Sequence, residues 1–235
     1  MIINRSLSSS LSNKERLGSL KSLLLLVVIA ILATSNTYAQ ASFETIGGLR
    51  YLIDSDAKTA TLVANNGDEK YSGNIVVPEK IKASDGVEYP VTAFGSNAFK
   101  DCDGLKSITI PSSVTSLGNS CFYKCYGLTN ITIPTSVTSL CENCFYGCYG
   151  LTSITIPSSV TSLGECCFYD CSGLTSITIP SSVTSLGSGC FAGCTGLASI
   201  TIPSSVTSLG KWCFSYCIYN HRTTKTNQKY PSVNL

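Results

Sequence analysis

Charge is scarce in this chain. Of its 235 residues, 16 are lysine or arginine and 14 are aspartate or glutamate, for a net charge of +2. No basic stripe interleaved with aromatics is present, so nothing points to nucleic acid as a partner. There is one histidine, His221, which rules out mixed Cys/His metal sites. A Ser–His–acid arrangement would need the C-terminal tail to fold back on the rest. The Gly-rich patterns that cradle phosphates are absent. Glu142, Glu165 and Asp170 fall at differing positions of the repeating pattern described below, which reads as solvated surface rather than a catalytic carboxylate pair. The uncharged apolar run Leu23 to Ala33 has eleven residues, short of the about 20 a membrane helix needs. These lacks argue against an enzyme, and no catalytic residue, metal or cofactor is expected.

What is abundant is repetition. Phe99, Phe122, Phe145, Phe168, Phe191 and Phe214 recur every 23 residues without a slip. Cys102, Cys125, Cys148, Cys171, Cys194 and Cys217 keep the same period, as do Pro111, Pro134, Pro157, Pro180 and Pro203. A fixed period of this length marks a solenoid.

Within one copy, Ile108, Thr109 and Ile110 alternate inward, outward, inward, as a strand requires. Gly104 precedes it as a residue able to turn at positive φ, and Pro111 ends it because it offers no ladder N–H. Leu117, Cys121, Phe122 and Cys125 are spaced i, i+4, i+5 and i+8, the pattern of a short helical turn. One unit cannot bury its own apolar face, so neighbouring coils must share core and strand hydrogen bonds.

The string from Cys144-Phe145 through Gly150-Leu151 and Ile154-Thr155-Ile156-Pro157 to Val160 and Leu163 resembles the BspA-like leucine-rich repeat of bacterial and protist surface proteins. That resemblance covers Ala98 to Cys217 closely and Phe43 to Asn97 more loosely. It implies an α/β-type repeat solenoid, mostly β, stacked right-handedly with one parallel sheet and short helical or 3₁₀ turns on the return side. Its members are implicated in adhesion to host proteins and in coaggregation.

Residues 1–39 read as an export signal, with a basic stretch holding Arg5, Lys14, Arg16 and Lys21, the apolar run, and cleavage after Ala39. No membrane span is expected after that cleavage. Residues 40–97 are expected to form a small β N-terminal cap with a degenerate first repeat. In it Ile75-Val76-Val77-Pro78 matches Ile108 to Pro111, Val91 to Gly95 matches Val114 to Gly118, and a hairpin excursion lies between. Residues 98–217 hold the repeats. Residues 218–235 are a basic tail without repeat character, consistent with a truncated end or disorder.

The thirteen cysteines divide three ways in principle: buried thiol ladders, disulfides between coils, or metal ligands. Ala98 stands where later copies have Cys121 or Cys144. A position that accepts alanine wants a small apolar body, which free cysteine supplies. Cys141 and Cys166 stand where the first copy has Gly118 and Ser120, and are expected to be the more reactive thiols.

Binding is the remaining role. Thr109, Thr132, Thr155, Thr178 and Thr201 should form one outward ladder, with Ser107, Asn130, Ser153, Ser176 and Ser199 beside it. Threonine also simply suits an exposed strand, so a purely structural surface repeat is one reading. The functional reading is a flat, uncharged hydrogen-bonding face for an extended extracellular protein or glycan, in an adhesion module or a secreted glycan-binding component. Ice or crystal binding by the regular array is a third. Lysines at Ser136, Ser159 and Ser182 on the return side are expected to leave binding intact.

Overall fold

The alternating apolar residues of every copy but the last do form strands, and their hydrogen bonds run between coils. The computed structural model describes residues 41–217 apart from 66 and 68. The expected export signal, the basic tail and His221 lie outside the described residues.

The N-terminal part is an antiparallel meander of β1 (Ser42–Ile46), β2 (Leu49–Asp54) and β3 (Thr59–Val63). It is followed by β4 (Gly73–Val76), β5 (Lys80–Lys82) and β6 (Glu88–Phe94), with β5 and β6 forming the anticipated hairpin. The matches read from sequence hold in register. Ile75 pairs with Ile108 of β7 (Leu105–Thr109), and Phe94 pairs with Leu117 of β8 (Ser116–Leu117).

Each later coil contributes one three-residue and one two-residue strand, except the last, which contributes only the two-residue one. The first set is β9 (Asn130–Thr132), β11 (Ser153–Thr155) and β13 (Ser176–Thr178), continuing β4 and β7 into a five-stranded parallel sheet. The second set is β10 (Ser139–Leu140), β12 (Ser162–Leu163), β14 (Ser185–Leu186) and β15 (Ser208–Leu209), also parallel. The single parallel sheet expected is therefore accompanied by a second, narrower ladder, because the Ser-Leu pair of each coil also lies in register with its neighbour.

The return side differs from expectation more deeply. No helix or 3₁₀ segment occurs among the described residues; Gly118 to Gly127 and its copies run as successive turns. Two residues per coil have positive φ: Asn97 and Asp101, Ser120 and Lys124, then Asn143 and Gly147. Left-handed residues interrupt a helix, and here they aim their N–H groups at the next coil. Ser120 donates to Glu142 at 2.8 Å and Lys124 to Tyr146 at 2.7 Å. Helical spacing of apolar residues arises instead from the close turns that keep Leu117, Cys121, Phe122 and Cys125 on the inside.

Glycine also works differently from expectation. Gly104 has no positive φ; a Cβ there would meet Ser72 Cβ at 2.9 Å. At Gly173 it would lie 2.1 Å from the Tyr149 carbonyl. Glycine is required here for close approach of coils rather than for a turn.

The core is a stack of rings. Phe122 and Phe145 lie 5.3 Å apart and 7° from parallel, and the series continues through Phe168 and Phe191 to Phe214. Tyr71 heads it, 5.2 Å from Phe99. Its hydroxyl donates to Val63 at 2.8 Å and accepts from the Arg50 N–H at 3.0 Å. One side chain thus ties the N-terminal meander to the repeat core.

Candidate functional site

Parallel pairing places Thr109, Thr132, Thr155 and Thr178 side by side on the exposed face of the five-stranded sheet. Exposed Val76 extends the row on β4. Ser107, Asn130, Ser153 and Ser176 form the neighbouring row, and Ser107 donates to Asn74 Oδ1 at 2.8 Å. Thr201 and Ser199 are exposed but belong to no strand, so the paired rows end at β13.

Two ladders of hydroxyls elsewhere are tied into the fold. Ser136, Ser159, Ser182 and Ser205 donate to the carbonyls of Val114, Val137, Val160 and Val183 in the preceding coil, at 2.5 to 2.8 Å. Each of these return-side serines satisfies a part-buried carbonyl, so lysine there costs stability and makes a poor control for a binding test. Thr161, Thr184 and Thr207 make longer bonds of the same kind. By contrast, among the described residues no hydrogen bond engages the hydroxyls of Thr109, Thr132, Thr155 or Thr178.

Both cysteine ladders are buried except at Cys217, and all thirteen thiols are free. Burial, and after it neighbouring thiols, pushes Cys121, Cys148, Cys167 and Cys171 far above the ordinary thiol range. Cys102 rises to about 11 for the same first reason. Cys141, Cys166 and Cys217 are only half-buried. Burial and the Glu165 charge also raise Cys166, which makes it less nucleophilic at neutral pH than its exposure suggests.

A feature not anticipated as a site lies on the turn side. Tyr123, Tyr146 and Tyr169 stack at 4.8 Å. Lys100 covers the outer end, its Nζ 5.3 Å from the Tyr123 ring centre. The other end stops at Tyr169, because the next two positions on the period are Ala192 and Ser215. A cavity of about 540 Å³ opens there, with Trp212 and Tyr216 on its wall. The sequence signal was present in the run Lys100, Tyr123, Tyr146, Tyr169, Ala192, Ser215, but only stacking gives it meaning. No helix among the described residues is long and apolar enough to cross a membrane.

Strand, corner, turn-built return and glycine-tight contact, repeated on one period, define a leucine-rich repeat protein. The chain belongs to the BspA type of leucine-rich repeat, whose family model matches residues 92–221 in six copies. A leucine-rich repeat protein of T. pallidum is 26% identical with a TM-score of 0.60, over 71% of this chain and 81% of its own. One from Bacteroides ovatus is 26% identical with a TM-score of 0.59, over 73% of this chain and 50% of its own. A leucine-rich cell surface protein of Faecalibacterium prausnitzii is 29% identical with a TM-score of 0.59, over 76% of this chain and 53% of its own. This chain therefore spans about half the length of the latter two. No curated protein matches it.

Proposed function

We propose that this chain is a secreted or cell-surface binding module that engages extended proteins of a host or neighbouring cell through its threonine face. The observation that carries this is the difference between hydroxyl rows. The ladders from Ser136 to Ser205 and from Thr161 to Thr207 bond to the preceding coil, whereas Thr109, Thr132, Thr155 and Thr178 point their hydroxyls outward with no partner among the described residues. Regularly spaced donors and acceptors at strand separation suit an extended partner. The similarity to a cell surface protein of the same build supports the location.

Each neutral hydrogen bond contributes about 0.5–1.5 kcal/mol net, so affinity would be spread along the face. Thr155→Val alone should be nearly silent on a panel of immobilised matrix proteins. Thr132→Lys, Thr155→Lys and Thr178→Lys combined should abolish binding, through repulsion between adjacent charges and lost acceptors. The matched control carries lysines at Thr135, Ser158 and Ser181, which are exposed. If the folded triple face variant binds as well as this control, the face is scaffold only.

A further inference from the structure

We propose a saccharide-binding site at the open end of the tyrosine stack, separate from the threonine face and independent of its role. Tyr146 has a ring on each side, but Tyr169 has one only toward Tyr146. The next two rungs carry a methyl and a hydroxymethyl group, so ring positions spaced at 4.8 Å are left without rings. The resulting cavity of about 540 Å³ is lined by Tyr169, Ala192, Trp212 and Tyr216, with Glu165 and Lys211 at its polar part. Its size is that of an ordinary ligand pocket, about 300–1,000 Å³.

A second observation points the same way. Trp212 and Tyr216 occupy the two positive-φ positions of their coil, at 54° and 59°. In other coils these positions hold small or polar residues, such as Asn143 and Gly147 or Gly189 and Gly193. A bulky aromatic in the left-handed region carries a steric cost. Neither side chain recovers that by burial, since Trp212 is 70% exposed and Tyr216 is 82% exposed. Two exposed rings held at strained positions, beside an uncovered third ring, form an aromatic platform.

The chemistry around it selects the ligand class. Aromatic faces are electron-rich and attract the polarised C–H face of a pyranose. The Glu165 carboxylate accepts from ligand hydroxyls, and the Lys211 ammonium and the hydroxyls of Ser188 and Ser215 donate to them. One carboxylate and one ammonium leave no net charge, which favours a neutral sugar over a nucleotide or a sulfated one.

Trp212 is the sole tryptophan of the chain, so its fluorescence reads the site directly. Cellotetraose, chitotetraose and mannotetraose are titrated into the full chain. At least one should give a saturable shift of Trp212 emission. Ala192→Tyr supplies the missing ring at a position only 2% exposed, and the folded variant should weaken that sugar at least tenfold. Trp212→Ala, followed by calorimetry, should lose a similar factor and covers the case in which the tyrosine variant misfolds. The triple lysine variant of the threonine face should bind the sugar unchanged, so failure of that face and failure of this site give different results. Silence of Trp212 with all three sugars, or unchanged affinity in folded Ala192→Tyr, overturns the proposal.

Discussion

Cys148 donates its thiol hydrogen to the carbonyl of Phe122, 3.2 Å away in the preceding coil. Cys125, Cys171, Cys194 and Cys217 repeat the bond to Phe99, Phe145, Phe168 and Phe191. This explains why cysteine rather than alanine fills the second ladder. The position needs a small apolar body that also carries a donor, and only the protonated thiol supplies both.

Alkaline pH should therefore unfold the protein cooperatively. Buried thiols such as Cys148 and Cys171 have folded pKa values raised by burial above the unfolded value of about 8.5. Their stabilisation is fully present below that pH. Above it the unfolded chain ionises while the folded one does not, and stability falls by about 1.4 kcal/mol per thiol per pH unit. Circular dichroism should show loss of structure beginning between about pH 9 and 10.5. Cys144→Ala with Cys167→Ala, which copies the alanine that Ala98 already places in the same ladder, should move the transition to higher pH.

Thiol labelling of the folded protein should be confined to few positions. Cys141 should react first, because it is half-buried, and Cys166 and Cys217 more slowly because burial holds their thiols protonated. Peptide mapping after brief alkylation without reductant identifies them. Rapid modification of Cys121 or Cys148 would contradict the buried ladders.

Phe145→Ala should destabilise far more than Tyr146→Ala. Phe145 is fully buried between Phe122 and Phe168, 5.3 and 5.4 Å away, and its removal leaves a cavity worth about 3–5 kcal/mol. Tyr146 is only half-buried in the outer stack, and about 0.5–1.5 kcal/mol of ring pairing is at stake beyond its area. Denaturant midpoints compare the two, and equal shifts would contradict the packing.

Cys141→Gly should stabilise. Glycine holds this position at Gly118, Gly164, Gly187 and Gly210, where a Cβ would come within 2.2 to 2.6 Å of the preceding coil's backbone. At those sites the N–H reaches back to the preceding coil, as from Gly164 to Leu140 at 2.8 Å. At Cys141 the ladder stops: β8 and β10 are not paired, and the narrow sheet divides between them. Glycine removes the obstruction, and one recovered backbone hydrogen bond is worth about 0.5–1.5 kcal/mol. Thermal unfolding of the single variant checks it, and a lower Tm would refute it.

Much of the fold was legible because the repeat forces every coil to solve the same packing problem. Period, strand alternation and the proline stop at Pro111 follow from side-chain geometry within a few residues, and so does the inward row of Phe99 to Phe214. Even the degenerate coil, Ile75 on Ile108 and Phe94 on Leu117, could be aligned by eye. The pairing of Thr109 with Thr132 was equally implicit, because a 23-residue offset repeated without slippage can only stack like on like.

What only the tertiary structure decided is what each coil does to the next. Helical spacing around Cys121 and Phe122 could not reveal that Ser120 and Lys124 are left-handed, because their reward is a hydrogen bond to residues one period away. Gly173 and Ser159 look like flexible or solvating residues until the preceding coil is placed 2.1 Å from a Cβ in the first case and 2.6 Å from a hydroxyl in the second. Likewise Ala192 is an unremarked small residue in the chain. It becomes the wall of a cavity only when Tyr169 is stacked beside it. Sequence determines the contents of one coil through local sterics and patterning. Contacts between coils depend on distances that exist only once the chain has returned to the same place.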